Sequence, residues 1–161
     1  MAGSAVRYLA QQPMTVAILK DTNMTVEKEV YRFGVLFDGS PCSEKVLRKT
    51  ISMMKDRDRL TTITVLEQGM DETGAIASQI AMITLDRPVE VIFLENEPGM
   101  TIKDRIKKYL QEQSENDEYV DFCAVGNRGL NVGSVARGDN YLGHVAEAMI
   151  AFKRLNVIFV P

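Results

Sequence analysis

YRFGVLFDGSPCSEKVLRKTISMM, residues 31 to 54, is the stretch on which the fold turns. Its first seven residues are aromatic, apolar and branched, as a strand on a half-buried pleated surface requires, and they stop at the turn formers DGSP. Beyond the turn the period changes. Val46, Leu47, Ile51 and Met54 recur at helical spacing, and Ser43 is placed to cap the first turn with its hydroxyl. A strand that enters a polar loop and leaves it as a helix is the opening half of a βαβ unit.

Working outward, the same order returns. LTTITVLE, residues 60 to 67, predicts a second strand, and after QGMDETG a weaker apolar period runs through Ile76, Ile80 and Ile83. PVEVIFLE, residues 88 to 95, predicts a third strand; NEPG then leads into an amphipathic helix from Thr101 with Ile102, Ile106, Tyr109 and Leu110 on one side. SENDE reads as a solvated turn and YVDFCAVG, residues 119 to 126, as a fourth strand. A glycine-rich stretch follows, then VAEAMIAF as the last helix and LNVIFV, residues 155 to 160, as the last strand. Strands this rich in branched apolar residues, alternating with helices, predict a parallel sheet covered on both faces. Right-handed crossovers make an open, doubly wound sheet the expected class.

A chain of 161 residues with 45% hydrophobic residues holds one domain with one sizeable core. A formal net charge of −3 lacks the electrostatic footprint of a duplex nucleic-acid or anionic-membrane partner. Apolar runs such as Val157 to Val160 fall far short of the roughly 20 residues that cross a bilayer. The N-terminus lacks the basic start and apolar centre of a secretory signal, so a cytoplasmic, reducing location is expected, with Cys42 and Cys123 as free thiols.

Residues 1 to 28 stand outside the alternation, as an N-terminal helix-strand extension to a domain over residues 29 to 161. GSAVRYLAQQPMTVAILK, residues 3 to 20, is similar to GHVAEAMIAFKRLNVIFV, residues 143 to 160, when one residue is skipped before the strand. A chance match of two amphipathic helix-strand pairs is one explanation. The other is that residues 3 to 20 are the closing unit of a preceding module, or a strand exchanged between chains.

In an open parallel sheet, ligands bind outside the carboxyl ends of the strands where the strand order reverses. That places Asp38, Gly39 and Ser40 after strand one, and the glycine-rich loop from Gly126 to His144 after strand four, around any ligand. Glycines admit a close anion, and the last helix offers unpaired N–H groups, so a phosphate-bearing ligand suits the loops. Tight turns need glycine whether or not anything binds, which is the plainer reading of each glycine taken alone.

The residues also carry a resemblance. VLFDGSPCSEKVL, VEVIFLENEPGMTIKDRIKKYL, AVGNRGL and the closing LGHVAEAMIAFKRLNVIFVP resemble the first, third, fourth and last units of the universal stress proteins, over residues 29 to 161. The resemblance implies a five-stranded parallel sheet in the order 3-2-1-4-5, of the type shared with adenine nucleotide alpha hydrolases, and a stress-response module. It implies ATP, with or without Mg, as a regulatory ligand hydrolysed slowly at most. Asp38 and Val65 would face the adenine and ribose, and Gly126, Gly129 and Gly143 the phosphates. It also implies a homodimer through the last strand, an arrangement that the N-terminal strand MTVAIL would provide in another way by covering that edge.

The family's ATP-binding pattern is Gly, two residues, Gly, nine residues, then Gly with Ser or Thr. Gly126 and Gly129 fit its first half, but Gly143 follows Gly129 after thirteen residues and is succeeded by His144 instead of a hydroxyl residue. A dimeric interaction or scaffold member that binds no nucleotide is therefore the alternative. His144 is the single histidine; exposure at a helix start is its plainer reading, and pairing with a phosphate the functional one, opposed by the positive helix end. Arg128 and Arg137 could clamp phosphate oxygens in a bidentate way, or be ordinary solvated charge. No nucleophile elbow, Walker lysine loop or metal-spaced cluster is present, so neither a catalytic residue nor a protein-held metal is expected.

Overall fold

Five short runs of β-branched and aromatic residues, the first four each followed by a helix too short to stand alone, can bury their backbone groups only by pairing with one another. The computed structural model describes residues 14–20, 28–67, 72–116, 120–127, 143–153 and 155–161. Their elements are β1 (Val16–Ile18), β2 (Arg32–Leu36), α1 (Pro41–Met53), β3 (Arg59–Leu66), α2 (Thr73–Thr84), β4 (Val89–Glu95), α3 (Ile102–Glu115), β5 (Phe122–Gly126), α4 (His144–Ala151) and β6 (Asn156–Val160).

The sheet runs β1-β6-β5-β2-β3-β4. From β2 onward the neighbours are all parallel, in the order expected from the sequence. The addition is β1, which lies antiparallel on β6 and makes the sheet six-stranded. The last strand is thus an interior strand of its own chain, and the expected homodimer through a free last strand meets an edge already paired.

Two apolar clusters lie on the two faces. Val46, Leu47, Ile76, Ile80 and Ile83 of α1 and α2 cover Phe33, Val35, Ala124, Ile158 and Val160. On the other face, Ile106, Leu110, Ala146, Met149 and Ile150 of α3 and α4 cover Leu36, Ile63, Cys123, Val125, Val157 and Phe159. Alternate residues of each strand serve alternate clusters, as the two-residue strand period dictates. Cys42 and Cys123 are both free thiols. Among the described residues no helix is long and apolar enough to cross a membrane.

The cap of helix α1 lies three residues earlier than Ser43. Ser40 is its N-cap, accepting from the Ser43 N–H at 3.1 Å, and Pro41 occupies the first helical position, where a missing N–H costs nothing. Ser43 instead returns its hydroxyl to the Ser40 carbonyl at 2.9 Å. Thr101, where the sequence starts the helix, is the N-cap of α3, its hydroxyl accepting from the Asp104 N–H at 3.3 Å.

Candidate functional site at the carboxyl rim

Chain connection reverses between β2 and β5: the strands leading on from β2 build outward to β4, and the chain then returns to lay β5 on the other side of β2. Adjacent loops there must part in opposite directions, which opens a crevice at the carboxyl ends of the two strands. Asp38 and Asn127 stand at its two sides.

The register places them more finely. Leu36 pairs with Ile63, Val35 with Ala124 and Val65 with Leu94. Continued by two or three residues, it sets Asp38, Val65 and Asn127 level across neighbouring strands. Val65 packs on the α3/α4 face, the face that Leu36 and, by the two-residue period, Asp38 also present. The first turn of α4 rises on that same side. The strand order thus puts the ends of β2 and β3 and the start of α4 at one rim, with Val65 and the first turn of α4 on one face of the sheet.

Asp38 is half-buried, and its Oδ1 accepts the Ser40 N–H at 3.1 Å. Gly39 then turns the chain with φ 78°, a conformation that side chains resist, and its carbonyl accepts from Gln79 Nε2 at 3.1 Å. Phe37 closes the end of the strand, with its N–H on the Ile63 carbonyl at 3.0 Å and its carbonyl receiving the Thr64 hydroxyl at 2.8 Å. The carboxylate is held in place by its own loop, as an Asp in a turn commonly is.

Gly126 differs from the other candidates. A Cβ there would stand 2.5 Å from Cys42 Sγ and 3.0 Å from Val46 Cγ2, so its bareness lets α1 press on β5 on the opposite face from Val65. A Cβ on Gly143 would stand 2.5 Å from the Asn127 carbonyl oxygen, so this glycine lets two backbone segments cross closely. Close packing alone accounts for glycine at both positions. Gly143 is the N-cap of α4, and its N–H donates to Asn127 Oδ1 at 3.1 Å, tying the helix start to the end of β5. His144 is exposed at the first helical position. Arg128, Gly129 and Arg137 lie outside the described residues, as does the stretch before Met14 that the sequence predicts to be a helix.

Two residues of this rim escaped the sequence reading. Asn127 follows the glycine that ends β5 and was lost inside the glycine motif. Asn96 ends β4; its N–H donates to the Leu66 carbonyl at 3.1 Å, while its side-chain oxygen is buried without a hydrogen-bond partner. An orphaned buried acceptor costs about 1–3 kcal/mol, so a polar ligand at the rim has something to satisfy. The NEPG turn signal around Asn96 predicts a loop and gives no sign of this. Among the described residues, no group of three or more His, Cys, Asp or Glu is placed to hold a metal ion.

The fold is similar to solved structures. A universal stress protein crystallised in complex with cAMP matches with a TM-score of 0.58 at 17% identity, over 81% of this chain and 95% of that one. A protein of the universal stress protein family from Burkholderia pseudomallei matches with a TM-score of 0.51 at 16% identity, over the same shares. The sequence matches no family model and no curated protein. At such identities the likeness establishes the architecture: a mostly parallel open α/β sheet of the universal stress protein type.

Proposed function

We propose that this chain, built on the universal stress protein fold, is a cytoplasmic stress-response module that binds an adenine nucleotide as a regulatory ligand at the carboxyl rim. The observation that carries the reading is the row Asp38, Val65, Asn127 at the reversal of strand order, with the start of α4 on the same face. One structural neighbour was solved with cAMP, which supports an adenine nucleotide as the ligand class; ATP, with or without Mg, is the form that the sequence resemblance favours.

The described residues fit such a group. Asp38 can accept from a ribose hydroxyl, and Val65 offers an apolar wall to a base. Amides in the first turn of α4 have no acceptor within their own helix and suit a phosphate. Gly126 would support the rim from behind through its contact with α1, and Arg128, Gly129 and His144 would complete the phosphate end. The ligand would act as a bound signal, with hydrolysis slow at most.

One observation favours the second reading, an interaction or scaffold module without nucleotide: the Gly143 N–H, the first amide a phosphate would meet, is already taken by Asn127. Thermal unfolding of the purified full chain, alone and with excess Mg-ATP or cAMP, separates the two. The first reading expects a rise in Tm that Asp38→Ala removes and His144→Ser enlarges. No rise with either nucleotide, together with no adenine nucleotide in the mass spectrum of released ligands, leaves the scaffold.

A further inference from the structure

The likeness between residues 3–20 and 143–160 sets Val16 on Val157, Ala17 on Ile158 and Ile18 on Phe159 once the one-residue skip is made. The observed pairs across β1 and β6 are Val16 with Phe159, Ala17 with Ile158 and Ile18 with Val157. Exchange each β1 residue for its β6 counterpart, and the pairs become Val157 with Phe159, Ile158 with Ile158, and Phe159 with Val157. That is the register of a strand against a two-fold copy of itself, centred on Ile158. Two-fold symmetry also demands antiparallel strands, and β1 with β6 is the one antiparallel pair among the described strands.

We propose that β1 is an in-chain stand-in for the β6 strand of a second copy, and that its release turns the β6 edge into a two-fold interface between two chains. The inference is independent of what the carboxyl rim binds.

The imitation is incomplete, and so the strand can be displaced. All five residues of β6 are buried, but β1 pairs with only three of them, whereas a second β6 could pair with all five. A three-residue edge strand gives little stability by itself. Ala17, exposed and small, lies where a second copy would bring the larger Ile158.

What holds β1 lies at its end. Lys20 donates its backbone N–H to Asn156 Oδ1 at 2.8 Å. Its ammonium donates to the carbonyls of Met149 at 3.1 Å and Phe152 at 3.0 Å, and also to that of Ile150. These are carbonyls of the last turn and C-cap of α4, the helix end that attracts positive charge. One lysine thus fastens the strand to the helix that precedes β6, and Ile18 adds a contact with the core behind it.

The test uses the full chain in solution. Ile18→Asp with Lys20→Ala should free β1 and double the mass seen by sedimentation relative to the unaltered chain. Adding Ile158→Cys to that variant should then give, on mild oxidation, a disulfide joining residue 158 of two chains, because the axis passes through it. Should the double variant fail to fold, Lys20→Met, which removes only the amine, is expected to show a concentration-dependent doubling. A folded variant that keeps the unaltered mass up to its solubility limit overturns the proposal, as does a doubled mass without the 158-to-158 bond.

Discussion

The two rims of the sheet are built from the same kinds of residue and used in opposite ways. At the amino-end rim, buried Asp121 accepts the Arg32 N–H at 2.8 Å and pairs with Lys28, while its carbonyl receives Asn156 Nδ2 at 3.0 Å. Asn156 in turn accepts from Lys20, and buried Asp58 accepts the N–H groups of Tyr31 at 2.9 Å and Lys55 at 2.8 Å. Asp and Asn there close a circuit that ties the strand starts together. At the carboxyl rim, half-buried Asp38 accepts the Ser40 N–H of its own turn, and the Asn96 side-chain oxygen is buried with no hydrogen-bond partner among the described residues. One rim keeps its hydrogen bonds for the fold, and the other leaves a buried acceptor unsatisfied.

Asp121→Ala breaks that contrast most sharply. It takes the acceptor from the part-buried Arg32 N–H and from the Lys28 ammonium at once, and hydrogen bonds to a charged group are worth about 1.5–3 kcal/mol each, so a loss of about 3 kcal/mol is expected. Asp38→Ala takes the acceptor from the Ser40 N–H at a half-buried turn and should cost less, about 1 kcal/mol for that bond. Urea denaturation of the two variants measures the difference. Equal losses would show that the rims do not divide the labour in this way.

Next in size is Gly126→Ala. The added methyl meets Cys42 Sγ at 2.5 Å, and overpacking of this kind costs about 1–3 kcal/mol. Cys42→Ala in the same chain should return most of it, since the sulfur is the nearest obstruction. Gly143→Ala has no such remedy, because its obstruction is the Asn127 carbonyl. A Gly126→Ala chain as stable as its parent would mean that α1 does not sit against β5 as described.

The two thiols sharpen the comparison further. Burial pushes the Cys123 thiol up from 9.0 to about 12, with the nearby Lys20 ammonium opposing the rise, whereas Cys42 is only half-buried at the carboxyl rim. Below pH 9 the Cys123 thiol is protonated in both folded and unfolded chains and contributes no pH dependence. Above 9 the unfolded chain gives up its proton while the folded one keeps it, so stability falls by about 1.4 kcal/mol per pH unit until the folded thiol ionises near 12. Cys123→Ala should lack that slope. In the parent chain at pH 8, iodoacetamide should label Cys42 and spare Cys123; equal labelling would contradict the burial.

How far the sequence speaks can be judged element by element. The parallel order, the α1 and α3 faces and the start of α3 near Thr101 were legible because period and turn formers act locally. The start of α1 was misplaced because two serines three apart both suit a cap, and only the chain path after Gly39 selects Ser40. The end of α2 gave no signal: Leu85 takes φ 52° and stands exposed where a glycine would be expected. Asp38 and Val65 were placed at the rim by strand order. The roles of Gly126 and Gly143 as points of close approach were not readable, because a glycine letter does not say whether helix, backbone or ligand stands opposite. The pairing of β1 was open for a like reason, since an apolar strand suits an edge in its own chain or in another.

The smallest effect falls at Asn96, where the contrast between the rims reduces to one atom. Leucine has a similar volume and no orphaned oxygen, and the backbone bond from residue 96 to the Leu66 carbonyl does not depend on the side chain. Asn96→Leu should therefore leave the ligand-free chain as stable as before or up to about 1 kcal/mol more so, because replacing an unsatisfied polar group by an apolar one removes its desolvation cost. If a nucleotide donates to that oxygen, the same substitution should shrink the rise in Tm with Mg-ATP or cAMP, while Asn96→Asp, which keeps an acceptor, should retain more of it. A substitution that destabilises the free chain would instead place Asn96 with Asp121 and Asp58, among the groups whose hydrogen bonds the fold itself consumes.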